Sequence, residues 1–220
     1  EAGLPKGVLN VVNGGKEAVD TLLTDERVQA VSFVGSTAVA KYVYNTAAEH
    51  DKRCQALGGA KNHAIVMQDA EMENTVNALI GAAFGSSGER CMAISVAVAV
   101  GSETADNLIA GLKSKMNNLK VGNFDDSKND FGPLITKDHM KKVIQYITSA
   151  EAQGADIVVD GRSVTVKGCE NGFYVGGTLI DSVEASMESY KNEIFGPVLQ
   201  SCEGRNYATS NRFNRRTRIR

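Results

Sequence analysis

The chain has 220 residues, 42% hydrophobic and 23% charged, with only three prolines. That is the composition of ordinary globular proteins, with enough apolar residues for one sizeable core or two smaller ones. No apolar run approaches the roughly 20 residues that cross a bilayer, and no charged-then-apolar leader opens the chain, so no membrane partner is expected.

The net charge of −2 is unevenly spread. Residues 201–220 hold six arginines (Arg205, Arg212, Arg215, Arg216, Arg218, Arg220) and a single acid, Glu203, which leaves 18 basic against 25 acidic residues in the rest. An arginine-rich arm invites a nucleic-acid reading. An acidic body with no other basic surface weighs against it, and no nucleic-acid partner is expected. Cys54, Cys91, Cys169 and Cys202 show no close pairing and no Cys-x-x-Cys spacing, which points to a reducing intracellular compartment. His50, His63 and His139 are scattered, and no metal site is expected.

In chain order, residues 8–12 (Val-Leu-Asn-Val-Val) read as a buried strand closed by Asn13-Gly14-Gly15, with a short helix over 16–23. A strand over 28–34 runs into Gly35-Ser36-Thr37 and a helix over 38–49. Strand, glycine turn and helix is an arrangement in which backbone N–H groups and the helix dipole converge on an anion. Taken alone, Ser36 or Thr37 reads first as a plain helix cap, and there is no Gly-x-Gly-x-x-Gly fingerprint.

A second domain is expected to begin near Leu57. It reads as a strand over 63–67, helix 71–84, strand 93–100, helices 103–117 and 137–153, strand 155–159 and shorter strands near 164–166 and 173–180. Leu108, Ile109, Leu112 and Met116 form one apolar stripe, and Met140, Val143, Ile144 and Ile147 another. Strands alternating with helices imply an α/β fold with a parallel sheet covered on both faces.

The most specific segment is Gly85-Ser86-Ser87-Gly88-Glu89-Arg90-Cys91-Met92-Ala93, followed by the apolar run Ile94 to Val100. A glycine-serine turn gives the backbone freedom to present one side chain at the lip of a cleft, and an adjacent arginine favours thiolate over thiol. Cys91 is therefore the candidate nucleophile, against the plainer reading of a small buried residue at a strand start.

Phe33-Val34-Gly35-Ser36-Thr37, Leu57-Gly58-Gly59-Ala60-Lys61-Asn62, the Cys91 segment and Asn192-Glu193-Ile194-Phe195-Gly196-Pro197-Val198 follow one another in this order. Together they resemble the aldehyde dehydrogenase superfamily over about residues 3–200. Gly-Glu-Arg-Cys-Met-Ala with Gly-Ala-Lys-Asn-His resembles its coenzyme A-acylating branch, which acts on methylmalonate and malonate semialdehydes. Members are much longer, so the chain is expected to be a fragment. Residues 1–56 would end a dinucleotide-binding domain, 57–200 form an α/β catalytic domain of the aldehyde dehydrogenase type, and 201–220 form a disordered or foreign tail.

The resemblance implies NAD as cofactor, with Gly35 and Ser36 facing its pyrophosphate, Glu193 accepting from the nicotinamide-side ribose hydroxyls and Phe195 packed beside that ribose. Outside that context Glu193 reads as a solvated turn residue and Phe195 as a core aromatic. Arg90 would bind the carboxylate of a small semialdehyde substrate, the alternative being an ion pair with Glu89 or Asp69. A homo-oligomer is implied for the whole enzyme.

Hydrolytic members place a glutamate just before Leu-Gly-Gly to activate water. Here that place falls on Ala56 or Leu57, depending on alignment. Neither is a base, so the thioester on Cys91 is expected to pass to coenzyme A as co-substrate, giving propionyl- or acetyl-coenzyme A with loss of CO2. Glu89 is a second candidate base. The competing readings are hydrolysis to a free acid and a truncated chain inactive on its own.

Overall fold

The structure, a computed structural model, describes residues 3–204. It comprises two compact units, one ending at Gly59 and one starting at Ala60.

The first unit contains α1 (Lys16–Thr24), β1 (Ala30–Val34), α2 (Thr37–Glu49) and β2 (Arg53–Leu57). The two strands pair in parallel, Ala30 opposite Arg53 through Val34 opposite Leu57. A parallel pair needs a crossover, and α2 supplies it. Leu23, Val43 and Ala47 are buried against Val31, Phe33 and Cys54. The buried Lys52 closes the approach to β1, its Nζ donating to Asp25 O and Val28 O at 2.6 Å each.

β2 departs from the sequence reading, which placed no strand there. Its Arg-Cys-Gln-Ala-Leu has no β-branched residue and alternates between exposed and half-buried, so pairing with β1, not composition, sets it. The converse holds at residues 8–12. They form no strand, and Val8, Leu9, Val11 and Val12 lie 65–81% exposed. An apolar β-branched run becomes a strand only where a neighbour offers a ladder, and among the described residues β1 pairs only with β2.

The second unit holds a five-stranded sheet of β3 (Asn62–Val66), β4 (Ile94–Val100), β5 (Asp156–Val159), β6 (Thr178–Asp181) and β7 (Val198–Gly204), with α3 (Met72–Phe84), α4 (Ser102–Met116), α5 (Lys137–Ala152) and the short α6 (Glu188–Lys191). The strand order is β3-β4-β7-β6-β5. All pairs are parallel except β5 with β6, so the expected parallel sheet carries one antiparallel edge. β4 is an interior strand, between β3 and β7, and is buried from Val96 to Val100. α5 covers one face with Val143, Ile147 and Ala150 against Val96, Val98 and Ile180. α3 and α4 cover the other with Val76, Leu79, Leu108 and Leu112 against Ala97, Ala99 and Leu199.

Both helical stripes face these cores, with Ile109, Met140 and Ile144 at their partly buried margins. Two strand expectations change. Residues 164–166 form none, and the strand expected over 173–180 is confined to β6. β7 was not anticipated, and it runs through Ser201, Cys202, Glu203 and Gly204 paired with Ala97 to Val100. The first four residues assigned to the tail are therefore sheet; the remainder, 205–220, lies outside the described residues. No helix among the described residues is long and apolar enough to cross a membrane.

Candidate active site

β3, β4 and β7 are neighbours and parallel, so their N-terminal ends lie along one edge of the sheet. Each is preceded by a segment that sequence analysis singled out: Lys61-Asn62 at β3, Arg90-Cys91 before β4, and Glu193 to Pro197 before β7. Lys61, Asn62, Arg90, Cys91, Glu193 and Phe195 all line one cleft.

The approach to Cys91 is a 3-10 turn, Gly85–Gly88. Ser86 (φ 54°), Ser87 (φ 57°) and Gly88 (φ 69°) take left-handed backbone in succession, a conformation that costs the serines on the order of 1 kcal/mol each. Ser87 is buried and its Oγ donates to Gly132 O at 2.8 Å. At Gly88 a Cβ would lie 2.1 Å from Gly196 O, so only glycine lets the thiol segment meet the segment before β7. The chain then turns outward. Ala93 N donates to Arg90 O at 2.9 Å, and Cys91 is exposed. Asn62 Nδ2 donates to Cys91 O at 2.8 Å and to Ala93 O at 2.9 Å. Among the described residues the Cys91 N–H meets no acceptor, which leaves it available to an oxyanion.

Arg90 pairs with neither Glu89 nor Asp69. Its Nη2 donates to Ala82 O at 2.9 Å in the last turn of α3, a favourable place for a cation. Its Nε is buried without a partner among the described residues. Glu89 is engaged elsewhere: Oε1 accepts from Ile135 N at 3.3 Å and lies 3.6 Å from His139 Nε2.

Phe195, at φ 58°, is the second non-glycine residue class here held in left-handed backbone. Its carbonyl accepts from His139 Nε2 at 2.6 Å, and the His139 ring meets the Phe195 ring edge-on. His139, which the sequence shows only as one of three scattered histidines, meets a partner 56 residues away. Lys61 was likewise missed as a site residue. It is 8% exposed, and its Nζ donates to Ser189 O at 2.7 Å and Asn192 O at 2.8 Å. Burial pulls its ammonium down to about 7, with Glu193 acting in the opposite sense. A lysine just ahead of the apolar run 64–66 was the available signal.

Gly35 and Ser36 lie in the first unit. Gly35 N donates to Leu57 O at 3.1 Å, and a Cβ there would strike the Phe33 ring at 2.6 Å. Ser36 stands at the N-cap of α2 but makes no side-chain capping bond. Among the described residues no cluster of three or more His, Cys, Asp or Glu could hold a metal ion.

Two outcomes follow from this geometry. Cys91 is exposed, Cys54 and Cys169 are half-buried, and the Cys202 thiol is pushed up to about 12, chiefly by burial and then by Asp181. Alkylation mapped by peptide mass should label Cys91 first and Cys202 last; equal labelling of Cys54 or Cys169 would contradict this. For Lys61, the unfolded chain binds more protons than the folded one between about 7 and the ordinary value of 10.5. Stability should therefore rise with pH across that window, on the order of 1 kcal/mol per pH unit. Denaturation midpoints should show this slope in the wild type and lose it in Lys61→Met; an identical slope in both proteins would contradict it.

Comparison with known proteins establishes the family. The profile described as the aldehyde dehydrogenase family matches residues 1–208. The chain is 59% identical over 199 residues to malonate-semialdehyde dehydrogenase of Pseudomonas aeruginosa, covering 90% of this chain and 40% of that protein. To the enzyme of the same name from Bacillus cytotoxicus it is 54% identical over the same shares. Among solved structures, methylmalonate-semialdehyde dehydrogenase from Oceanimonas doudoroffii superposes with a TM-score of 0.93 at 64% identity, over 96% of this chain and 43% of that one. Betaine aldehyde dehydrogenase from Staphylococcus aureus in complex with NAD+ gives a TM-score of 0.90 at 26% identity, over 97% and 42%. The chain thus spans about 40% of the length of the curated relatives it matches, and it belongs to the aldehyde dehydrogenase family.

Proposed function

We propose that this chain carries the nucleophile of an NAD-dependent, coenzyme A-acylating oxidation of methylmalonate or malonate semialdehyde. The observation that carries the reading is the exposed Cys91, gripped by Asn62 and sharing one cleft with Arg90, Glu193 and Phe195.

An aldehyde has no leaving group other than hydride. Addition of the Cys91 thiolate to the carbonyl gives a thiohemiacetal oxyanion from which hydride can depart, and the Cys91 N–H, without an acceptor among the described residues, can donate to that oxygen. The residues present fit the nicotinamide side of NAD: a carboxylate, Glu193, can accept from two vicinal hydroxyls, and the aromatic residue Phe195 lines the same cleft. NAD supplies the hydride acceptor. Gly35 and Ser36 open α2 in the manner that suits a pyrophosphate, with the Ser36 side chain uncommitted. Arg90, which lines the cleft and makes no ion pair among the described residues, retains guanidinium donors for a substrate carboxylate.

Hydride loss leaves an acyl thioester on Cys91. The absence of a carboxylate at Ala56 and Leu57 favours thiolysis by coenzyme A, whose thiol is a better nucleophile towards a thioester than water is. CO2 is lost from the substrate in the overall reaction, giving propionyl- or acetyl-coenzyme A.

Restored to the length of its relatives, the protein should give a burst of NADH equal to the enzyme concentration, then a steady rate that requires coenzyme A. Replacing Leu57 or Ala56 with glutamate should speed thioester hydrolysis by about 10²-fold at most. Sustained turnover to free acid without coenzyme A would instead support the hydrolytic reading.

A further inference from the structure

Lys61, Asn62 and His63 are consecutive, yet their side chains end on two distant pieces of chain, Asn62 on the thiol segment and Lys61 and His63 on residues 189–192. Asn62 spends both Nδ2 hydrogens on the thiol segment, at Cys91 O and Ala93 O. Lys61 reaches 128 and 131 residues along the chain to Ser189 O and Asn192 O, the latter immediately before Glu193. His63 Nδ1 donates to Lys61 O at 2.9 Å, so its Nε2 accepts from the Tyr190 hydroxyl at 2.8 Å. The start of β3 therefore holds both of the segments that meet at Gly88 and Gly196.

Stability alone gives no reason for a lysine here. Burying an ammonium costs more than burying an apolar side chain of the same length, and Lys61 makes no ion pair among the described residues. Its ammonium instead makes two charge-assisted bonds to carbonyls that flank Tyr190, and Ser189 is fully buried. Those carbonyls would be left unsatisfied without it.

We infer that Lys61 and Asn62 are positioning residues that act together as one bracket, setting the Cys91 thiol at a fixed distance from the Glu193 to Phe195 segment. The inference deepens the reading of Cys91 as nucleophile and rests on it, but its test needs no turnover. Because the two side chains leave one rigid strand end, loosening either grip shifts both segments against each other.

The test measures two quantities on the chain as it stands, near neutral pH: the iodoacetamide alkylation rate of Cys91 and backbone amide exchange by peptide. Lys61→Met should change Cys91 alkylation by about 5-fold or more although Lys61 does not touch residue 91, the scale of coupling between residues in one network. It should also speed exchange over 188–197 and leave α4 and α5 unaltered. Lys61→Arg, which keeps the donors, should restore both readouts. Asn62→Asp, the same size without donors, should reproduce the effect on Cys91 and speed exchange over 188–197, which Asn62 does not touch. Unchanged Cys91 alkylation in Lys61→Met overturns the bracket, as does exchange accelerated equally in α4 and α5, which would mean general loosening. If Lys61→Met does not fold, Asn62→Asp decides alone, and unaltered exchange over 188–197 overturns the inference. Failure of these outcomes would leave the burst experiment intact, and failure of the burst would leave these outcomes intact.

Discussion

Three parallel strands that lie side by side must begin at the same edge, and that single constraint assembles the site. β3, β4 and β7 come from residues 62–66, 94–100 and 198–204, so the chain covers well over a hundred residues between the first and the last. Parallel pairing nonetheless brings Asn62, Cys91 and Glu193 to one cleft. The interior strand β4 is buried throughout most of its length, and its neighbours are fixed by their ladders. Small shifts of the preceding segments are then resisted by the whole sheet, because packed cores do not deform continuously.

Against this rigid edge the thiol segment is held in an unfavourable backbone. Two serines in left-handed conformation just ahead of Cys91 persist only because surrounding contacts over-determine them: Ser87 on Gly132, Gly88 against Gly196, Asn62 on Cys91 and Ala93. Phe195 is held in the same region of backbone space by His139. Strain is thus concentrated on the two segments that face each other across the cleft, where fixed geometry matters most for a nucleophile and the group it must reach.

What could be read in the sequence was local. The stripes of α4 and α5 and the apolar run of β4 follow from periodicity within one element, and Cys91 stood out by its immediate neighbours, whereas Arg90, Glu193 and Phe195 were expected only through the resemblance to the aldehyde dehydrogenase superfamily. What could not be read depends on partners far along the chain. β2 has no strand-like composition and exists through its ladder with β1, while residues 8–12 have the composition but no ladder. β7 extends into residues that composition assigned to a basic tail. Lys61 and His139 meet their partners 131 and 56 residues away, and nothing in the adjacent sequence announces either contact. The Arg90 side chain, expected to pair with a neighbouring acid or a substrate, in addition finds a helix-end carbonyl at Ala82.

The account turns on a covalent bond between Cys91 and the acyl group, and the most direct measurement is its isolation. The enzyme at its full length, mixed with NAD and semialdehyde in the absence of coenzyme A and quenched in acid within one turnover, should yield the peptide containing Cys91 with an acyl group added. The adduct should vanish on addition of coenzyme A and be missing from Cys91→Ala. An unmodified Cys91 peptide alongside stoichiometric NADH, or an acyl group found on another residue, would contradict the account.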